Sequence, residues 1–250
     1  MMKPMMTALL AAMLALPAAA ETVVLNGAGA TFPYPIYSKW FDKYHELDPN
    51  AQINYQSIGS GGGMRQITEK TVDFGATDGP MTDGQLFKVD GKLLHVPTVL
   101  GAVVPAFNLK GVEKLTVSGP VLADIFLGKI RRWNDPALAK LNSGAALPDA
   151  PITVVHRSDG SGTTFCFTDY LSSVSKDWEK AAGRGASVKW PLGLGGKGNE
   201  GVAGLVKQTP NSIGYMELIY AKQNDIAYAS VINRAGKAVR ADVDSVTAAA

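Results

Sequence analysis

The chain reads as an α/β protein in which strands alternate with covering helices. Three features predict this class. Short β-branched runs each end in a glycine-rich turn, apolar residues recur at helical spacing after those turns, and the order strand, turn, helix, strand runs from residue 22 to residue 78. That order predicts a parallel sheet.

Thr22-Val23-Val24-Leu25 reads as a buried strand that ends in Asn26-Gly27-Ala28-Gly29-Ala30-Thr31-Phe32. Pro33 and Pro35 suit a first helical turn, whose N–H groups have no intrahelical acceptors. Ile36, Trp40, Phe41, Tyr44 and Leu47 then follow at helical spacing until Asp48-Pro49-Asn50 stops the helix. Residues 52–56 alternate like a half-exposed strand, 57–63 form a second glycine turn, and 64–71 a short helix. Residues 72–78 make a third strand with Asp78 at its exit. The apolar run 95–108, broken by Pro and Gly, reads as two strands crossing between lobes. Residues 118–126 and 136–141 are helical, with a turn at 128–133 between them and a polar connector at 145–151 after them. Val154 and Val155 carry the chain into Arg157-Ser158-Asp159-Gly160-Ser161-Gly162-Thr163-Thr164, and 165–171 is the helix beyond. A helix at 202–208, a strand at 212–215 and a helix at 218–224 complete the pattern, and the tail 242–250 shows no closing element.

The first residues, Met1-Met2-Lys3, precede an apolar run from Met5 to Leu16 and then Pro17-Ala18-Ala19-Ala20-Glu21. This describes a secretory signal peptide over 1–20, because the apolar run falls short of the about 20 residues a membrane span needs. The remaining chain is long enough for one large domain or two lobes of ~100–150 residues. The whole sequence has 24 basic and 22 acidic residues, and without Lys3 the remaining chain has 23 basic to 22 acidic; that near-balance argues against a nucleic-acid surface. The single cysteine, Cys166, has no internal partner and sits between Phe165 and Phe167, as a packed thiol would. His45, His95 and His156 are far apart and no metal-ligand spacing occurs, so no metal or cofactor is expected.

Three glycine-and-hydroxyl turns lead into helices at 29–32, 59–63 and 160–164. Each alone is an ordinary capped turn. Together they aim backbone N–H groups and the positive ends of helix dipoles at one place, where the hydroxyls of Thr31, Ser60, Ser161 and Thr163 can surround a tetrahedral anion. Arg157 adds a fork of donors suited to an oxyanion. Asp78, if not simply a helix N-cap before Gly79-Pro80, has only acceptors at neutral pH and so favours an anion that still carries a proton. Gly196-x-Gly198-x-x-Gly201 matches a dinucleotide fingerprint, but no clear buried strand precedes it and no ribose-binding acid follows. A phosphate-ester hydrolase with Ser161 as nucleophile and His156 as base is the alternative; Asp159 occupies the first glycine position of a G-x-S-x-G elbow.

The segments Leu25-Asn26-Gly27-Ala28-Gly29-Ala30-Thr31-Phe32-Pro33, Ile58-Gly59-Ser60-Gly61-Gly62-Gly63, Val72-Asp73-Phe74-Gly75-Ala76-Thr77-Asp78 and Arg157-Ser158-Asp159-Gly160-Ser161-Gly162-Thr163, in that order, resemble the periplasmic phosphate-binding proteins of high-affinity ABC-type phosphate transporters. The likeness extends through Leu127-Gly128-Lys129-Ile130 with Trp133 and through the stretch from Trp190-Pro191 to Gly201. It implies a two-lobed, type II-like periplasmic binding protein with mixed sheets flanked by helices, lobe 1 at 21–97 and lobe 2 at 98–250. Phosphate would be held in the inter-lobe cleft and passed to inner-membrane ABC permease subunits. The protein would be a non-enzymatic monomer in the periplasm. The resemblance also implies roles: Thr31 and Phe32 donate hydrogen bonds, Ser60 caps a helix toward the anion, and Asp78 accepts the phosphate proton. Arg157 donates to its oxygens, Asp159 orients Arg157 and offsets its charge, and Ser161, Gly162 and Thr163 supply the third turn. His156 stands where the family often has a second arginine. Family members run on well past the point where this chain stops and return to the first lobe. The first lobe is therefore expected to be incomplete, with an unpaired edge and apolar face, and the chain alone to bind phosphate weakly and be marginally stable.

Overall fold

The computed structural model describes residues 22–249; the signal peptide expected at 1–20 lies outside the described residues. The N-terminal unit is β1 (Val23–Gly29), α1 (Tyr34–Leu47), β2 (Ala51–Ser57), α2 (Ser60–Thr68), β3 (Phe74–Ala76) and α3 (Asp83–Leu86). Its strands form a parallel sheet in the order β2-β1-β3, as the strand–helix alternation predicts. A small aromatic cluster holds α1 against it: Tyr37 meets Tyr55 edge-on at 5.5 Å, and Tyr55 stacks on Phe74 at 6.0 Å. At the first half of β1 the sequence expectation fails, since Val23, Val24 and Leu25 are exposed and only the last three residues of the strand are buried. α2 approaches that buried end closely. A Cβ on Gly63 would lie 2.5 Å from the Ala28 carbonyl oxygen, so only glycine lets the helix sit there.

α2 begins at Ser60, four residues earlier than predicted, so the glycine run is helix rather than turn. Gly59, at φ +87°, takes the left-handed conformation that admits the chain to the helix. β3 is shorter than the predicted 72–78 and leaves Asp78 beyond its end. Asp78 is not a helix cap; the next helix is capped by Thr82.

The larger unit contains β4 (Val103–Asn108), β5 (Thr116–Ser118), α4 (Gly119–Phe126), α5 (Pro136–Leu141), β6 (Thr153–Arg157), α6 (Gly162–Val174) and α7 (Lys176–Ala181). It continues through β7 (Leu194–Gly196), α8 (Gly198–Gln208), β8 (Ser212–Glu217), α9 (Leu218–Gln223), β9 (Ala227–Tyr228), β10 (Ser230–Ile232), β11 (Ala238–Val239) and α10 (Val243–Ala248). The main sheet runs β7-β6-β8-β4-β9 and is mixed rather than parallel, because β4 pairs antiparallel with both β8 and β9. Of the two strands expected in 95–108, only β4 forms; the residues before Val103 make no strand. β10 joins β5 and β11 in a separate small sheet.

Alternation across the pleat gives the main sheet a core on each face. Phe107, Val154, Ile213 and Tyr215 face the larger core with Trp133 and Trp178, while Val104, Ala106, Val155 and Met216 face α8 and α9. α6 starts at Gly162, three residues before the predicted start, because Ser161 caps it by accepting from Thr164 N–H at 3.0 Å. The tail also differs from expectation: Asp242 and Ser245 form a reciprocal capping box that starts α10.

Trp133 is fully buried and donates its indole N–H to the Asn211 carbonyl at 3.0 Å. Trp133→Ala is expected to lower unfolding free energy by about 3–5 kcal/mol in urea titrations, through the cavity left and the carbonyl stripped of its partner.

Candidate anion-binding site

The starts of four helices meet between the two units. Thr31 lies between β1 and α1, Ser60 opens α2, Gly162 and Thr163 open α6, and Gly198 and Asn199 open α8. Each follows the C-terminal end of a strand, where open α/β sheets place their ligands. Main chain touches main chain across the cleft: Gly61 N–H donates to the Gly160 carbonyl at 2.9 Å. A Cβ on Gly160 would lie 3.3 Å from the Gly61 Cα, a distance tight enough to push the two turns apart.

Arg157 ends β6 and is almost wholly buried. Its Nε donates to Asp159 Oδ1 at 2.7 Å and its Nη2 to Oδ2 at 2.5 Å. Asp159 also accepts from Gly198 N–H at 3.0 Å. Burial pulls the Asp159 carboxyl upward, but the Arg157 hydrogen bonds and charge and the Gly198 N–H outweigh it and hold the group below the usual carboxylate range. The other edge of the guanidinium remains: Nη1 is buried and has no hydrogen-bond partner among the described residues.

Asp78 faces this turn from two residues beyond the end of β3. Thr163 Oγ1 donates to its Oδ2 at 2.8 Å and Ser60 Oγ to its Oδ1 at 3.4 Å. Ser60 Oγ in turn accepts from Gly162 N–H at 3.0 Å. Burial pushes the Asp78 carboxyl up to about 6, against the lowering effect of Thr163, Arg157 and Ser60. Glu217, at the end of β8, is pushed up to about 7, again chiefly by burial, although backbone N–H groups such as Ile219 favour its charged form.

Thr31, Ser60, Asp78, Arg157, Asp159, Ser161, Gly162 and Thr163 therefore lie together at these turns. Phe32 is adjacent to them, its ring against Gly101 at the rim of a cavity of about 690 Å³ that also touches Asp78, Cys166 and Tyr170. Burial raises the Cys166 thiol to about 11, which keeps it protonated and unreactive. Ser161 is not set up as a nucleophile. Its oxygen caps α6, while the ring of His156 stacks on Trp190 at 4.8 Å and its Nδ1 lies 3.0 Å from the Arg157 carbonyl oxygen.

Sequence reasoning missed Asn199, Gly198, Tyr215 and Tyr220. Tyr220 donates to the Thr31 carbonyl at 2.6 Å, and the Tyr215 hydroxyl accepts from Arg157 N–H at 3.1 Å. A signal for two of them existed. The stretch Gly196-x-Gly198-x-x-Gly201 does follow a strand, β7, and opens a helix, so its strand–turn–helix geometry could have marked Asn199. β7 is three residues long and takes its extended form from pairing with β6, which its own Leu-Gly-Gly sequence does not announce.

A model of the PBP superfamily domain matches residues 16–249. The chain is 55% identical over 250 residues to the phosphate-binding protein PstS of Pasteurella multocida, covering 99% of this chain and 71% of that protein. It is 54% identical to the PstS phosphate-binding protein of Haemophilus influenzae, covering 92% of this chain and 69% of the relative. The crystal structure of a putative phosphate ABC transporter substrate-binding protein with bound phosphate from Clostridium perfringens superposes with a TM-score of 0.71 at 21% identity, over 90% of this chain and 81% of that one. That likeness is one of fold: α/β sheets flanked by helices in a two-lobed binding protein.

The two raised carboxyls set a pH dependence. Asp78 and Glu217 hold their protons at higher pH in the folded chain than their ordinary values of 3.8 and 4.5. Between those values and about 7 the folded state therefore binds more protons than the unfolded one. Stability is expected to fall as pH rises through that window in buffer without multivalent anions. Asp78→Asn should remove about 2–3 kcal/mol of this dependence in urea unfolding measured across the range.

Proposed function

The chain belongs to the PstS phosphate-binding proteins of the PBP superfamily, and we propose that it is an extracytoplasmic receptor that holds inorganic phosphate between two lobes, divided near residues 97 and 98, and delivers it to an ABC import permease. The observation that carries the reading is Arg157 Nη1, a buried cationic donor with no acceptor among the described residues, at the turn where four helix N-termini meet. Burying such a donor unpaired is costly, so the arrangement favours an anion that can accept from it.

The neighbouring groups narrow the anion. Asp159 offsets the charge of Arg157, so hydrogen bonds from hydroxyls and helix termini rather than a bare ion pair carry the binding. Asp78 is an acceptor inside the ring of donors. Monohydrogen and dihydrogen phosphate each bring a proton to it, whereas sulfate would set acceptor against acceptor. Such a mismatch discriminates by on the order of 10⁴-fold. Contacts from both lobes stabilise the closed form over the open one, which is what couples binding to closure. The signal-peptide-like pattern of residues 1–20 supports the reading that the chain is exported to the periplasm, where a receptor of this kind would meet its permease.

Calorimetric titration is expected to show phosphate binding with little response to sulfate. Asp78→Asn should relax sulfate rejection by about 10²-fold or more; unchanged selectivity would count against the Asp78 role. Turnover of a chromogenic phosphate ester, abolished by Ser161→Ala, would instead favour the hydrolase.

A further inference from the structure

Asn199 is fully buried and bonds to both sides of the cleft. Its backbone N–H donates to Thr31 Oγ1 at 3.1 Å, and its side-chain Nδ2 donates to the same oxygen at 2.7 Å. The direction of these bonds is settled by chemistry. A backbone N–H can only donate. The amide orientation follows from Oδ1, which accepts from Glu217 N–H at 2.9 Å; turning the amide over would set its NH₂ against that N–H.

A hydroxyl has one proton and two acceptor lone pairs. With both lone pairs of Thr31 Oγ1 taken by Asn199, the hydroxyl can act toward anything else only as a donor. It donates to no protein group among the described residues. The second Nδ2 hydrogen reaches Thr163 Oγ1 at 3.3 Å, and the Thr163 proton goes to Asp78 Oδ2 at 2.8 Å. One amide thus sets the polarity of a hydroxyl on each wall.

We infer that Asn199 is a positioning residue that makes the Thr31 hydroxyl an obligate donor to the bound anion, an inference that rests on the phosphate reading above. Phosphate oxygens are mostly acceptors, so a hydroxyl free to rotate would lose part of its worth in finding the donating orientation. Here the orientation is set before the ligand arrives.

The test is a double-mutant cycle read as phosphate affinity by calorimetry on the full chain, with thermal melts to confirm folding. Asn199→Ala and Thr31→Val should each weaken binding by about 10- to 100-fold. The double variant should be no weaker than Thr31→Val alone, while Thr31→Ser should keep the response to Asn199→Ala. Asn199→Leu keeps about the size of the side chain but carries no donor, and should lose as much affinity as Asn199→Ala, again only while the Thr31 hydroxyl is present. The same loss from either Asn199 variant in both the wild-type and Thr31→Val backgrounds, or full affinity in Asn199→Leu, would show that Asn199 merely fills the cleft, and would overturn the inference. Should Asn199→Ala fail to fold, the Asn199→Leu comparison with and without Thr31→Val decides. A wild-type chain that binds no phosphate removes the phosphate reading and this inference together; binding with uncoupled variants removes only this one.

Discussion

Arg157 places its guanidinium where water barely reaches, and the cleft is arranged around that fact. Stripping a guanidinium of water costs several kcal/mol, which a well-placed carboxylate can offset. Asp159 does so from two residues along the chain, through two parallel hydrogen bonds. Because Asp159 also holds Gly198 N–H, the same pair joins the turn before α6 to the turn before α8. Removing Asp159 would leave the buried guanidinium of Arg157 without its carboxylate. The third nitrogen of the guanidinium is then presented on a fixed frame rather than on a flexible stem.

Behind Arg157 the support is aromatic. Tyr215 contacts both its backbone N–H and the Thr164 hydroxyl, and Phe167 stacks on Tyr215 at 4.2 Å. Trp190 also stacks on Tyr215, at 5.7 Å, and on His156. These rings belong to, or pack against, the largest core of the molecule, so the wall carrying Arg157 is deeply anchored. The wall carrying Thr31, Ser60 and Asp78 rests on a much smaller cluster around Tyr37, with the first half of β1 open to solvent. A cleft with one rigid wall and one lightly packed wall can close with little strain, since the lighter unit can shift as a body.

Neutral donors do most of the remaining chemistry. Hydroxyls and backbone N–H groups of the two units already satisfy one another through Ser60, Thr163, Asn199 and Asp78, so few polar atoms are left unpaired at the cleft. A network of this kind specifies geometry because each misplacement strands a buried group. Burial pushes the Asp78 carboxyl up to about 6, and the Thr163 and Ser60 hydroxyls of this network pull against that rise.

The residues of the cleft were legible in the sequence because each lies at a glycine-and-hydroxyl turn, and turn chemistry is local. Thr31, Ser60, Asp78, Arg157 and Thr163 could be named from their neighbours alone, as could α1 and α4 from apolar spacing and proline. Helix starts were misplaced at Ser60 and Gly162 because glycine read as a turn, whereas packing against Ala28 and a serine cap drew those residues into helices. Only the tertiary structure decided that β4 runs antiparallel to β8, that β7 is a strand at all, and that Asn199 reaches Thr31 from 168 residues away. Partners at that separation leave no mark in the spacing of either residue. Hydrogen-bond direction, unlike hydrophobic periodicity, exists only once both ends are in place.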